Sequence, residues 1–135
     1  MKSVLHLIPL IPVALLAAAC ASHAPANPQA SAEANEQWQS LRAAYTTCAK
    51  DQADAGMASS ASAQDLARVA LKACRPRLDA MHAAFRDYLD AQMVSSHGRD
   101  GARQAADRVS QDTEAKTRNY LVRYVERERY TAKAQ

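Results

Sequence analysis

An all-α fold is predicted here by three features: abundant alanine, a scarcity of glycine and aromatic residues, and apolar positions that recur at alternating steps of three and four. Three glycines and 5% aromatic residues in 135 positions point to helices packed at close approach through small side chains. From Glu33 onward Trp38, Leu41, Tyr45 and Cys48 fall on one helical face, with Arg42, Lys50 and Asp51 on others. Gly56 suits the end of this first helix, and the small-residue run MASSAS forms a connection. Ser62, with Asp65 three positions on, reads as a start signal related to the capping box. A second helix is expected over residues 63–93, its stripe made of Ala67, Ala70 or Leu71, Cys74, Leu78, Met81, Phe85 and Tyr88. Pro76 interrupts it, and a residue before proline, here Arg75, is biased away from helical backbone, so a kink is expected at 73–76. The glycine-bearing run SSHGRDG, residues 95–101, reads as a turn. A third helix, residues 102–131, has a weaker face of Ala106, Val109, Thr113, Tyr120, Leu121, Tyr124 and Val125. The predicted architecture over residues 33–135 is a three-helix antiparallel bundle or hairpin with a kinked second helix.

The first nineteen residues follow a different logic. Met1-Lys2-Ser3 is a short charged start, and VLHLIPLIPVALLAAA is apolar but carries His6, Pro9 and Pro12. A bilayer-spanning helix needs about 20 apolar residues, and interior proline costs roughly 3 kcal/mol. A removed export signal over residues 1–19 fits better than an anchor helix. Leu16-Ala17-Ala18-Ala19-Cys20 resembles the lipobox of bacterial lipoproteins, although Ala17 holds the position where leucine is usual. That resemblance implies a diacylglyceryl thioether on Cys20, cleavage before it and acylation of the new amine. Ala21 follows, not the aspartate that holds enteric lipoproteins at the inner membrane, so the resemblance implies the periplasmic face of the outer membrane. The alternative is an ordinary soluble periplasmic or secreted protein. Residues 21–32, ASHAPANPQASA, lack apolar periodicity and read, with lipidated Cys20, as a flexible tether.

Export changes the meaning of the other two cysteines. Cys48 and Cys74 lie on core-facing stripes of helices joined by one short connection. At ~1.5 Å per residue, Cys48 is about 12 Å from Gly56 and Cys74 about 16 Å from Ala63, so antiparallel packing sets them at similar heights. In an oxidising compartment this arrangement favours a disulfide over two buried thiols. The pair Tyr45-Thr46-Thr47-Cys48 and Ala73-Cys74 also looks like a pattern in small exported helical proteins of proteobacteria, a likeness that implies no activity.

The formal charge of +3 is too slight to indicate nucleic acid. No serine or cysteine has a base placed beside it by the pattern, and no phosphate-cradling glycine loop is present; no catalytic residue and no cofactor are expected. Asp79 and His82 share one helical face, and His97 in the expected turn could join them, but two candidates do not make a zinc site, which wants three or four ligands. No metal is expected. The carboxy-terminal segment is more promising. Tyr120, Leu121, Tyr124 and Val125 form an apolar strip flanked by Arg118, Arg123, Arg127 and Arg129, and tyrosine and arginine are enriched at binding hot spots. The strip is a candidate docking surface for another envelope protein, a basic face for anionic headgroups, or simply the face that packs on the first two helices.

The expected function is that of a small envelope lipoprotein acting as a protein-binding or structural accessory module. An inhibitor or immunity protein against an envelope-attacking enzyme, and a periplasmic helical chaperone, are the alternatives. Cells fed labelled palmitate are expected to lipidate the chain, and a Cys20→Ser substitution is expected to abolish hydroxylamine-stable label.

Overall fold

The computed structural model describes residues 28–93 and 95–135. Among them are four α-helices and no strand: α1 (Pro28–Ala55), α2 (Ala63–Ala73), α3 (Arg75–Asp90) and α4 (Ser96–Lys133). The class is the expected one, with four helices in place of three. The leader, Cys20 and the first part of the tether lie outside the described residues. No described helix is long and apolar enough to cross a membrane.

Helix α1 starts within the expected tether, so residues 28–32 are helical rather than flexible. Pro28 suits this position, because a first-turn residue has no intrahelical use for an N–H and the proline ring presets φ. Tyr45, Ala49 and Ala53 are fully buried, and Leu41 and Cys48 pack partly buried against the same core. At Gly56 the chain leaves the helix without a positive φ. An added Cβ there would stand 2.6 Å from Leu66 Cδ2 of α2, so the Leu66 side chain would have to shift to admit it.

Ser62 caps α2 as anticipated. Its Oγ accepts the Asp65 N–H at 3.0 Å and donates to Asp65 Oδ2 at 2.8 Å, so cap and third residue hold each other. The expected single helix over 63–93 is two helices parted at Cys74, whose φ of −94° and ψ of 7° belong to neither. Pro76 explains the break. It has no N–H for the Lys72 carbonyl, and its ring crowds that carbonyl; moved to the second position of α3, it is harmless. The Cys74 N–H closes α2 by donating to Ala70 O at 3.1 Å.

The second correction concerns SSHGRDG. Only Ser95 stands outside α4; residues 96–101 are its first turns. Ser95 has extended backbone and its Oγ accepts the Gly98 N–H at 3.0 Å. A good N-cap is worth about 1 kcal/mol, which offsets much of the cost of Gly98. Gly98 also admits Met93, whose Sδ would lie 3.0 Å from an added Cβ.

The contacts give the helix directions. Cys74, just before α3, meets Cys48 of α1, and the Phe85 ring meets that of Trp38 at a tilt with centroids 4.6 Å apart, so α3 runs antiparallel to α1. His82 of α3 meets Asp107 of α4 and Arg75 meets Glu114, so α4 runs antiparallel to α3. Between them lies a core of small residues, with Tyr45, Met81, Leu121 and Val125 its largest fully enclosed side chains. Ala49, Ala53, Ala67, Ala70 and Ala106 are buried beside them. Each alanine removes little apolar area from water, so close approach replaces bulk.

Cys48 and Cys74 stand at disulfide distance, with sulfurs 1.99 Å and Cα atoms 6.0 Å apart. For a separation of 26 residues, the loop-entropy argument gives about 3.5 kcal/mol. Urea unfolding of the chain with and without reductant is expected to differ by about that amount, and Cys48→Ala is expected to abolish the difference.

Candidate functional site

Two surfaces gather polar side chains from helices distant in sequence. The first lies where the end of α1 meets the last third of α4. Lys50 and Asp54, one turn apart on α1, pair at 2.6 Å, and the Tyr124 hydroxyl of α4 donates to the other Asp54 oxygen at 2.6 Å. Lys50 Nζ also stands 4.6 Å from the Tyr124 ring centroid, and the Arg127 guanidinium stands 5.7 Å from it on the same helix. Burial pushes the Asp54 carboxyl up, but the hydrogen bonds from Lys50 and Tyr124 outweigh it and hold the group below its ordinary value. The carboxylate in turn raises the Tyr124 phenol and, chiefly through its hydrogen bond, the Lys50 ammonium. Tyr120 stacks on Tyr124 at 5.8 Å and is 38% exposed.

One turn further on, Arg129 reaches across the α1–α2 connection. Its guanidinium donates to the carbonyls of Met57, Ser59 and Ala61, at distances down to 2.6 Å. These carbonyls belong to a turn and lack helical partners, so one side chain serves three backbone acceptors. An opening of about 670 Å³ lies beside it, lined in part by Met57, Ser60, Arg129 and Ala132.

The predicted partner surface is therefore partly rebuilt. Leu121 is fully buried in the core and does not belong to it, because its position on α4 aligns with Thr117 and Val125 toward α1 and α2. Tyr124 is half-buried and committed to Asp54. Arg118 lies on the neighbouring face, paired with Glu114 at 2.9 Å. Tyr120, Arg123 and Arg127 remain exposed, and Tyr130 further along is 77% exposed. Arg129 as a backbone clamp had no mark in the sequence beyond its charge. The Lys50–Asp54 spacing of four was visible, but nothing local announced Tyr124 as its third member.

The second surface is the seam of α3 and α4. His82 Nε2 lies 2.9 Å from Asp107 Oδ1, while Asp79, its expected neighbour, pairs instead with Arg75 at 3.0 Å. His97 is exposed in the first turn of α4, apart from both. Among the described residues no group of three or more histidine, cysteine, aspartate or glutamate side chains is placed to hold a metal ion. Beneath this seam Tyr45 is fully buried, and its hydroxyl has no hydrogen-bond partner. Burial first, and the Glu114 charge second, push its phenol up to about 12, against the opposing pull of Arg118 and Arg75.

No family model, no curated protein and no solved structure matches the chain.

Because the folded state disfavours the Tyr45 phenolate, its contribution to stability is full below pH 10 and is lost as pH rises toward 12. Tyr45→Phe is expected to flatten the alkaline limb of a stability–pH curve. At neutral pH it is expected to leave stability unchanged or raise it by about 1 kcal/mol, since an unpartnered buried hydroxyl is removed.

Proposed function

We propose that the chain is a lipid-anchored accessory protein of the bacterial envelope, held at the periplasmic face of the outer membrane, whose helical domain binds another envelope protein. The observation that carries this reading is the cysteine pair. Two cysteines at bonding distance on facing helices suit an oxidising compartment and are rare in a reducing one. Cys20, at the end of an apolar leader, supplies the matching anchor. On this reading the four helices make an up-down-up bundle in which α2 and α3 are one middle leg bent at Cys74.

The binding surface is the outer side of α4 at Tyr120, Arg123, Tyr124 and Arg127. Stacked tyrosines offer flat area at little cost in side-chain freedom, and arginine adds forked donors to acidic partners. Lys50 and Asp54 hold the Tyr124 ring in place beforehand, which lowers the ordering cost of association. The role is binding or structural rather than catalytic.

The test is affinity capture from solubilised envelopes with the full chain, beside fractionation and a thiol count without reductant. A single stoichiometric partner is expected, with no alkylatable thiol in the folded domain. An Arg123→Glu/Arg127→Glu double variant is expected to capture at least about tenfold less of that partner while melting as the parent does. A cytosolic protein with all its thiols reduced would overturn the reading.

A further inference from the structure

Away from the tyrosine surface, the junction of α2 and α3 faces the middle of α4 across a cleft of about 340 Å³. Arg68, Lys72 and Arg75 line one wall and Arg118 the other, with Leu71 and Glu114 between. The spacing explains the clustering: positions 68, 72 and 75 are four and then three apart, so one face carries all three cations although the helix breaks at Cys74. Like charges one turn apart repel, and nothing in the fold requires so many here. Lys72 does suit the carbonyl end of α2, but Arg75 follows it and Arg118 approaches both from α4.

The acids nearby neutralise this group only in part: three carboxylates, Asp65, Asp79 and Glu114, stand against its four cations. Glu114 is shared between Arg118 at 2.9 Å and Arg75 at 3.5 Å. Asp65 and Asp79 sit at the outer ends, paired with Arg68 at 2.9 Å and Arg75 at 3.0 Å. No carboxylate answers Lys72 among the described residues. The arginine side chains are 52–70% exposed, and ion pairs so open to water are worth little, so an entering anion can take over their donors.

We propose that this cleft is a binding site for a phosphate-class ligand carrying at least two negative charges, held by Arg68, Lys72, Arg75 and Arg118. Guanidinium forks match phosphate oxygens in pairs, and the ammonium of Lys72 adds a compact charge. The volume is that of a small-molecule site. A flexible acidic peptide would meet the same charges at a higher ordering cost.

Calorimetric titration of the full chain, in low-salt buffer without phosphate, tests this with inorganic pyrophosphate and with water-soluble dihexanoyl phosphatidic acid. Saturable binding of one equivalent of either probe is expected, and the stronger of the two identifies a free phosphate or a lipid headgroup as the source. Lys72→Gln and Arg118→Gln are each expected to weaken binding about tenfold, whereas Arg123→Gln, on the tyrosine surface, leaves it unchanged. Lys72 has no ion-pair partner to lose among the described residues, so that variant separates binding from folding; matching melting curves check it. Absence of saturation, equal affinity in all variants, or tighter binding of hexaglutamate than of pyrophosphate would overturn the proposal.

Discussion

The tie between Cys48 and Cys74 is the constraint on which the other contacts depend. Cys74 is the single residue separating α2 from α3, and Cys48 lies on the inner face of α1. Joining them fixes where along α1 the returning chain may bend. Helix α2 is thereby laid against the last turns of α1, where Leu66 enters the space left by Gly56. Helix α3 is laid against the earlier turns, where Phe85 finds Trp38. A core built mostly of alanine has many near-equivalent ways to slide, since one small side chain resembles the next. A covalent peg and one glycine-sized gap remove that freedom.

Helix α4 closes this hairpin by two kinds of contact. Leu121 and Val125 supply the apolar seal, and the polar contacts are few but span the chain. Tyr124 meets Asp54, His82 meets Asp107, and Arg129 meets the connection at residues 57–61. Most other ion pairs are between residues three or four apart on one exposed helix and add little to the fold.

What was legible in the sequence follows from which signals are local. The stripes through Tyr45, Leu71, Cys74, Leu78 and Met81 are periodic, and burial follows them. The Ser62 cap and the level of the two cysteines could be read from spacing alone. Boundaries fared less well. Glycine and serine in SSHGRDG read as a turn, but its first serine, Ser95, is a helix cap and the six residues after it are helical. Pro76 promised a disturbance without saying whether it would bend or part the helix; the chain leaves helical backbone at Cys74, and the proline becomes the second residue of α3. In the carboxy-terminal strip, Leu121 and Tyr124 are three apart and look like neighbours on one face, yet the first is in the core and the second at its rim. Arg129 was the least readable, since its acceptors are backbone carbonyls about seventy residues earlier, at separations of 68–72, and carbonyls have no signature in a sequence.

That long reach of Arg129 has a consequence for the order in which the molecule can assemble. A polypeptide threaded amino terminus first brings out Met57, Ser59 and Ala61 well before their guanidinium donor. Until the final turns of α4 arrive, the hairpin of α1 and α2 has an open tip whose carbonyls are served only by water. The amino-terminal half can therefore pair its sulfurs early, while the tip stays loose and accessible to passing chaperones or proteases. Closure belongs to the last residues synthesised, so a chain shortened by a few turns at its end would carry its covalent peg and still be left ajar.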